Sequence, residues 1–474
     1  MSNKSSNSGT FAAVVSIFFF WGFMAASNGI FIPFCKDHFH LSQFQSQLID
    51  STFYGGYFIG SILLFAYTYL YKKDFVLEQG YPKSFAIGLV ISALGAACMI
   101  PSLHIGSYGL ILTSFFIIAL GFSLQQTAAN PFVVLLGKQR TGAHRLSLAG
   151  GVNSVGTTIG PLIVAYFLFG SITGSGSTPV ELKSVDILYI GLIVLFLALA
   201  LIAYRIKMDK PADSNQSFSF DALKYPQLRL GMIAIFVYVG VEVTIQSNMG
   251  ALVKLPEYGG ITNEFLFPFI SLYWGSLMIG RWTGSAEALT DNKGTKKILM
   301  VVLPLLAFAL VYVVNYIKAN AIPQIDLNKL FIPYIGFVLF MVAVAFFTIE
   351  NSAVMLLAFS LSAMACMVGG LLTTGNLSVL FFMSGGLWCS VLWPCIFSNA
   401  IKNLGSYTSQ ASAFLIMMIL GGAVIPPLQG LLADKTDIKT SYIIAPLCFA
   451  YLAFYGWKMI GIKAEGESTK VTGH

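Results

Sequence analysis

Charged residues are scarce in this 474-residue chain. Asp, Glu, Lys and Arg together make up 10% of it, and hydrophobic residues make up 56%. Soluble globular domains carry about 25% charged residues, so this composition excludes that class. Uninterrupted runs of about 20 apolar residues recur along the chain. The strands of a membrane β-barrel would show alternating hydrophobicity instead, so a barrel is excluded. We therefore predict an all-α polytopic membrane protein.

Histidine and cysteine are also scarce, with five and six residues. Every histidine falls near the end of an apolar run or in a loop, which argues against a membrane-embedded hydrolase or acyltransferase. The cysteines have no metal-ligand spacing. The net charge is +7, but the chain has no basic cluster with interleaved aromatics of the kind that binds nucleic acid. We expect free thiols, no cofactor and no nucleic-acid partner.

Fourteen apolar runs predict about fourteen membrane-spanning helices. Met1–Thr10 is polar and shows no cleavable leader, so we expect the first run to remain as a span. With both termini cytoplasmic, twenty of the 27 Lys and Arg residues fall on the inner face, which follows the positive-inside rule. The predicted spans are residues 11–35, 46–71, 84–103, 108–136, 146–170, 186–206, 229–253, 264–289, 297–317, 331–348, 352–372, 375–399, 410–432 and 440–461.

The longest polar linker, residues 207–227, divides the chain into two halves, 1–206 and 228–474. The halves resemble each other: Tyr57–Ser61 parallels Leu277–Arg281, and Asn130-Pro131 is echoed by Trp393-Pro394. Paired halves that meet at a midplane site are the architecture of secondary transporters. Six spans precede the linker and eight follow it. We place the surplus in an inserted hairpin at about 295–350, which preserves the sidedness of a twelve-helix core.

The fourth span contains an unusual block of amides, with Gln125, Gln126 and Asn130 inside an apolar run. Gln126 and Asn130 are four residues apart and share a helix face, whereas Gln125 points about 100° away. Amides suit sugar hydroxyls because they both donate and accept hydrogen bonds. The alternative is that they bond neighbouring helices to one another. We interpret the block as the wall of a polar cavity.

Other spans supply further candidate contacts for a sugar. Asn28 lies in the first span, Asn153 in the fifth and Gln246 in the seventh. Trp393 stands beside Pro394 at the position that echoes Asn130-Pro131, and an aromatic face packs against the apolar face of a pyranose. Core packing or an interfacial position is the alternative role for such aromatics.

Charges within the spans are few, which makes each one a functional candidate. Glu242 lies near the middle of the seventh span and Arg281 lies in the eighth. Asp50 lies about one turn inside the outer end of the second span. A buried carboxyl can exchange a proton or remain ionised by holding a cation, and either property would couple transport to an ion gradient. The alternatives are a static Glu242–Arg281 pair and a hydrated Asp50 at the outer rim.

Several of these motifs resemble those of the fucose and glucose/galactose permeases of the major facilitator superfamily. The likeness covers nearly the whole chain except residues 295–350. It implies the major facilitator fold of two pseudo-symmetric six-helix bundles, here with the inserted hairpin. It also implies a bacterial inner-membrane importer of monosaccharides. The matching segments are Phe20–Gly22, Asn28–Pro33, Phe44–Ser46, Phe53-Tyr54, Gln126–Phe132, Tyr238–Glu242 and Ile401–Gly405.

The chain departs from the fucose branch at the positions that the resemblance assigns to coupling and to sugar contact. Gly29 and Gln126 stand where that branch has acidic residues, and Gly150 stands where it has a glutamine, whereas Asn153 matches. These features are similar to the glucose/galactose branch, some members of which use sodium. They imply a substrate other than L-fucose and a coupling site elsewhere, at Glu242 and Asp50.

The sequence thus predicts a monomeric cation-coupled importer of a hexose such as glucose, galactose, fructose or mannose, driven by protons or sodium. Asn28, Gln125, Gln126, Asn130, Asn153 and Gln246 would bind hydroxyls, Trp393 would stack, and Glu242, Asp50 and Arg281 would serve the ion. The alternatives are an uncoupled uniporter, an L-fucose-proton symporter and, from another class, a membrane sensor or enzyme. The cytoplasmic segments are too short for a signalling domain.

Overall fold

A computed structural model describes residues 14–15, 18–23, 39, 43–136, 141–169, 182–206, 220–261, 267–319 and 327–462. Within these ranges the backbone forms helices joined by turns, and none of it forms a strand. Asn28 lies outside the described residues. Asp50 lies in a described helix, but its side chain is not among the described ones.

The described residues between 43 and 205 form six helices. The turn between α3 and α4 follows from its sequence, because Gly106 adopts the left-handed conformation at φ 71° and the Ser107 hydroxyl caps the next helix. Asp74 likewise caps the short α2 by accepting from the amides of Val76 and Leu77. The helices are α1 (Gln43–Tyr71), α2 (Phe75–Gln79), α3 (Tyr81–Ile105), α4 (Tyr108–Leu135), α5 (Gly142–Phe169) and α6 (Leu182–Arg205).

The described residues between 226 and 460 form twelve further helices, several of which are short segments of broken spans. The helices are α7 (Pro226–Val253), α8 (Phe267–Leu289), α9 (Lys293–Ala319), α10 (Asn328–Thr348), α11 (Ser352–Leu372), α12 (Gly375–Met383), α13 (Gly385–Cys389), α14 (Leu392–Ala400), α15 (Thr408–Met417), α16 (Gly421–Lys435), α17 (Ile438–Ser441) and α18 (Ile444–Ile460).

The predicted spans correspond closely to these helices. Each predicted span from the second to the fourteenth overlaps a described helix or a run of helix segments, and the first overlaps residues 14–15 and 18–23. Among the described residues, eleven helical stretches are long and apolar enough to cross a membrane. The predicted all-α polytopic fold is confirmed.

The chain clusters into two compact units. Unit 1 comprises Met1–Leu136, Val155–Ala222 and Ser406–Leu420; unit 2 comprises Gly137–Ser154, Leu223–Gly405 and Gly421–His474. The units follow the two predicted halves except for two short segments, Gly137–Ser154 and Ser406–Leu420. That the halves are separate six-helix bundles joined by a linker at residues 207–227 stays a prediction.

Small residues bring the helices of unit 1 together. A Cβ on Gly56 or Gly60 of α1 would collide with Ala119 or Ser123 of α4. Close backbone approach of this kind is how membrane helices gain packing energy without a hydrophobic driving force between them. The segment α15 belongs to the same unit, and its Phe414 ring lies 4.2 Å from that of Phe65. Helices α1 and α4 are therefore in close contact.

Unit 2 uses the same type of contact. A Cβ on Gly280 of α8 would collide with Ser390, and one on Gly275 would collide with Val311 of α9. Helix α9 is further tied to α8 by Asn315 Nδ2, which donates to Ser271 Oγ at 2.8 Å. Helices α9 and α10 occupy the position of the predicted hairpin. Their status as an insertion into a twelve-helix core stays a prediction.

Candidate functional site

The amides of α4 belong to unit 1 and occupy different environments. Gln125 is fully buried, and both ends of its amide are bonded within the protein. Trp21 Nε1 donates to Oε1 at 2.6 Å, and Nε2 donates to Ser92 Oγ at 2.9 Å. Gln125 thus hydrogen-bonds to other helices, a role that polar residues commonly take in membranes.

Gln126 is partly exposed, unlike its neighbour. Its Nε2 donates to the hydroxyl of Tyr57 on α1 at 2.9 Å. Among the described residues, no donor is hydrogen-bonded to its Oε1. One end of this amide is thus fixed by the protein, and the carbonyl end is available to a ligand.

Asn130 lies one turn further along α4. It is 2% exposed, and its Nδ2 has no hydrogen-bond partner in the described part of the chain. Leaving a buried donor unpaired costs about 1–3 kcal/mol, so the position favours occupancy by a water or a ligand acceptor. Gln126 and Asn130 therefore offer an acceptor and a donor on one helix face. We name Gln126, Asn130 and Tyr57 the amide cluster.

Pro131 alters the hydrogen bonding of α4 next to this cluster. Because proline has no N–H, it cannot bond the carbonyl of Thr127 four residues earlier. The hydroxyl of Ser412 on α15 donates to that carbonyl at 2.9 Å. The freed backbone acceptor is satisfied by a side chain from a distant part of the sequence, within unit 1.

The charged candidates lie in unit 2. The Arg281 Nη2 and Glu242 Oε1 atoms are 3.7 Å apart, and both side chains are largely buried. The hydroxyl of Tyr238 donates to the same carboxylate oxygen at 2.6 Å, and that of Tyr273 donates to the backbone carbonyl of Glu242 at 2.6 Å. The Glu242–Arg281 pair, predicted from the sequence as the alternative to ion coupling, is present, and the Tyr238 hydroxyl bonds the same carboxylate. We name Glu242, Arg281, Tyr238 and Tyr273 the charge cluster.

Arg281 also bonds three groups beyond the carboxylate. Its Nη1 donates to Ser154 Oγ at 2.8 Å and to the Gly150 carbonyl at 3.4 Å, and its Nε donates to the Ser390 carbonyl at 3.3 Å. Pro394 lies four residues after Ser390 and has no N–H to bond that carbonyl. The guanidinium, with five donors in a rigid fork, can hold such dispersed acceptors together.

The remaining sequence candidates are placed as follows. Gln246 lies one turn beyond Glu242 on α7 and is partly exposed. The Trp393 ring lies 6.1 Å from the ring of Tyr238, so Trp393 adjoins the charge cluster. Asn153 precedes Ser154 and is also partly exposed. The structure brings Glu242, Arg281, Gln246 and Trp393 into one region of unit 2, and Gln126 and Asn130 into one region of unit 1.

Sequence reasoning missed several partners. Tyr238 and Glu242 stand at the four-residue spacing that puts side chains in contact on a helix, a signal that could have found this hydrogen bond. Tyr57, Ser154 and the Ser390 carbonyl come from other segments. Their roles depend on packing between helices, which no local pattern in the sequence reports.

Helices of membrane-spanning length that carry polar and charged clusters place this chain in the class of polytopic helical membrane proteins. Residues 11–354 match the model of the Major Facilitator Superfamily, and the chain belongs to that superfamily. It is accordingly a membrane transporter and not an enzyme.

Two similar proteins, one of them also by its crystal structure, locate the chain within the superfamily. It is 32% identical over 453 residues to a glucose/galactose transporter of Brucella abortus, covering 94% of this chain and 93% of the relative. It is 28% identical over 469 residues to the L-fucose-proton symporter of Escherichia coli, covering 94% and 92%. A crystal structure of the Escherichia coli fucose:proton symporter superposes with a TM-score of 0.71 at 25% identity, covering 96% of this chain and 99% of that one. The predicted resemblance is confirmed.

Proposed function

We propose that this protein imports a monosaccharide across the cytoplasmic membrane of a bacterium, coupled to the entry of a cation. The observation that carries the sugar assignment is the amide cluster, which presents an acceptor and a donor unpaired by any described residue on one helix face. The names of the similar proteins, a glucose/galactose transporter and an L-fucose-proton symporter, support a monosaccharide substrate. Both termini are cytoplasmic in this proposal, and the transporter acts as a monomer by alternating access.

The sugar is a hexose such as glucose, galactose, fructose or mannose. Its hydroxyls donate to Gln126 Oε1 and accept from Asn130 Nδ2, with Asn28, Asn153 and Gln246 as further contacts and Trp393 stacking on the ring. Gln125 is not carried into this set, because Trp21 and Ser92 occupy both ends of its amide.

The coupling cation is a proton or sodium. Glu242 is a carboxyl held in a largely buried position, where it can take up a proton or keep its charge through a cation. Arg281 competes with that cation for the carboxylate, since its Nη2 lies 3.7 Å from Glu242 Oε1. Asp50 is the second candidate carboxyl. The alternative without a coupling ion is a uniporter in which the Glu242–Arg281 pair is static.

Transport in proteoliposomes tests this proposal. Counterflow of labelled glucose, galactose, mannose, fructose and L-fucose identifies the substrate, and uptake against a gradient with sodium or a pH difference identifies the ion. We expect exchange of at least one hexose and accumulation with one of the two ions. A protein that exchanges none of these sugars would overturn the substrate assignment.

Coupling has a separate test. Replacing both Glu242→Gln and Asp50→Asn should abolish accumulation but leave counterflow measurable, because counterflow needs binding and alternation without net ion movement. Tyr67→Phe, which changes a residue of α1 bonded to Glu78, is a matched control. Accumulation that persists in the double variant would show that neither carboxyl couples. Equilibration without accumulation in the unmodified protein would establish the uniporter.

A further inference from the structure

We infer that Tyr334 of α10 is a positioning residue for the charge cluster: it fixes the short segment α13, and through α13 the Ser390 carbonyl that Arg281 bonds. This gives α10, one of the two helices at the position of the predicted hairpin, a part in transport. The expected effect on the coupling ion rests on the proposed function, whereas the placement of α13 does not.

The first observation concerns the span formed by α12, α13 and α14, which is broken twice. The helix is interrupted at Ser384 and again at Ser390-Val391, so the five residues of α13 lie between two breaks. Irregular backbone in a membrane span persists only where neighbouring protein groups satisfy the freed backbone atoms. The segment α13 therefore depends on other helices for its position.

The second observation is that a side chain bonds a backbone carbonyl beside each break. At the first break, the Tyr334 hydroxyl donates to the carbonyl of Met383, the last residue of α12, at 3.1 Å. At the second break, Arg281 Nε donates to the carbonyl of Ser390 at 3.3 Å. All four residues belong to unit 2. The segment α13 is thus held at one end by α10 and at the other end by the charge cluster.

Aromatic contacts place α10 along the same stretch of the broken span. The Phe340 ring lies 5.1 Å from that of Trp388 in α13, and the Phe337 ring lies 5.2 Å from that of Phe381 in α12. Tyr334 is fully buried between these contacts. A buried hydroxyl without a partner costs about 1–3 kcal/mol, which favours the bond to the carbonyl at the break. Helix α10 therefore packs on both sides of the first break.

Helix α8 lies against α13 and carries two members of the charge cluster. The Tyr334 hydroxyl is 2.7 Å from Ser276 Oγ of α8, so the two hydroxyls are hydrogen-bonded. A Cβ on Gly386 of α13 would collide with the backbone carbonyl of Tyr273. Because no gap separates the two backbones there, a shift of α13 changes its contacts with α8. The position of α13 is thereby linked to that of the charge cluster.

The consequence concerns how Arg281 distributes its hydrogen bonds. The guanidinium bonds the Ser390 carbonyl through Nε while its Nη2 lies 3.7 Å from Glu242 Oε1. If α13 moves away, the guanidinium loses a competing acceptor, and the charge-assisted contact with Glu242 strengthens. A cation must then displace a more tightly held Arg281 from the carboxylate. Loss of the Tyr334 hydroxyl should therefore weaken binding of the coupling ion.

Cysteine alkylation tests the placement of α13 without a transport assay. Cys389 of α13 and Cys395 of α14 are both fully buried, so each reacts with N-ethylmaleimide only when its segment opens. Tyr334→Phe should raise the labelling rate of Cys389, followed by mass spectrometry, at least about threefold and leave that of Cys395 unchanged. Tyr312→Phe removes a hydroxyl of α9 that bonds the first residue of α10, and this matched control should change neither rate.

The second readout is the half-saturating concentration of the coupling ion for uptake into proteoliposomes. Tyr334→Phe should raise this concentration about threefold and keep KM for the sugar in counterflow within about twofold. In an Arg281→Lys background, which lacks the guanidinium fork, the same change should have less than about a twofold effect. A merely structural role would lower the transport rate without changing the ion concentration. Tyr312→Phe should leave both values unchanged.

The outcomes separate this inference from the proposed function. Unchanged labelling of Cys389 in Tyr334→Phe, or equal rises at Cys389 and Cys395, would overturn the inference and leave sugar transport intact. Faster labelling with an unchanged half-saturating ion concentration would also overturn it, because α13 would then not act on Arg281. If the unmodified protein accumulates sugar with neither ion, the proposed coupling and the expected ion effect both fall, and labelling of Cys389 alone decides the placement of α13.

A second variant covers the case in which Tyr334→Phe does not fold. Phe340→Leu removes the ring that contacts Trp388 of α13 and keeps an apolar side chain on α10. It leaves the hydroxyl of Tyr334 in place, so we expect a smaller rise in Cys389 labelling, about twofold, with Cys395 unchanged. No rise at Cys389 in this variant would overturn the assignment of α10 as the helix that fixes α13.

Discussion

The two units contain the same backbone device with different partners. In unit 1 Pro131 leaves the Thr127 carbonyl free, and the neutral Ser412 hydroxyl bonds it. In unit 2 Pro394 leaves the Ser390 carbonyl free, and the cationic Arg281 bonds it. A glycine of the neighbouring long helix packs close to the proline-containing span in both units. The freed carbonyl thus lies beside a neutral cluster in the continuous helix α4 of unit 1, and beside a charged cluster at the break between α13 and α14 of unit 2.

Under the proposed function, the sugar binds mainly at the amide cluster and the ion at the charge cluster. Neutral amides bind hydroxyls without attracting ions, and the buried carboxylate responds to charge. If the division is real, variants in the two units should change different properties of transport.

The largest expected effect comes from Arg281→Gln. It leaves Glu242 without its cation and removes bonds to Ser154, Gly150 and Ser390. Breaking one partner of a buried pair typically costs about 3–5 kcal/mol, so we expect a marked loss of thermal stability in detergent. Adding Glu242→Gln should restore part of that loss. No recovery in the double variant would indicate that the carboxylate is not what Arg281 stabilises.

The next largest effects should separate the two adjacent glutamines of α4. Gln125→Ala removes two buried hydrogen bonds and should lower stability by about 2–3 kcal/mol, with little change in KM for the sugar. Gln126→Ala removes one ligand contact and should raise KM about 3-fold to 10-fold with little change in stability. Thermal unfolding and transport assays on the same preparations measure both. The reverse assignment of effects would contradict the division between structural and binding amides.

A smaller effect is expected from Ser412→Ala, which leaves the Thr127 carbonyl without its side-chain donor. Hydrogen bonds between membrane helices average about 0.6 kcal/mol in measured cases, so we expect a decrease of that order in unfolding free energy. Ser154→Ala removes an analogous hydroxyl from Arg281 in unit 2 and provides the comparison. A larger cost for Ser154→Ala is expected, because a bond to a charged group is stronger.

The smallest effect should be a change in pH dependence at Asp74, which lies between the spans of unit 1. Burial raises the pKa of its carboxyl, although the amides of Leu77 and Val76 and the Ser409 hydroxyl act in the opposite direction. A carboxyl whose folded pKa is raised stabilises the fold most at acid pH, and this contribution is lost as pH rises through the folded pKa. Asp74→Asn should therefore flatten the decline in thermal stability from acid to neutral pH. An unchanged slope would assign the decline to other groups.

The helices could be predicted because membrane spans need long apolar runs, and those runs are visible in the sequence. The amide block was also predictable, since amides are rare in such runs. The difference between Gln125 and Gln126 was not, because it depends on Trp21, Ser92 and Tyr57 from other helices. The pairing of Glu242 with Arg281 followed from the scarcity of charge. The further bonds of Arg281 to Gly150 and Ser390 are backbone contacts that composition does not reveal.

The glycines at positions 56 and 60 have a consequence for the hydrogen bond between Tyr57 and Gln126. Hydrogen bonds weaken as their atoms separate. A Cβ added to Gly60 would lie 2.6 Å from Ser123 Cβ of α4, so the two helices would have to shift apart at this point. Gly60→Ala would thus loosen the link between phenol and amide while changing neither of them. The lack of side chains at Gly56 and Gly60 thus sets the distance between α1 and α4, and with it the distance between the Tyr57 hydroxyl and the Gln126 amide.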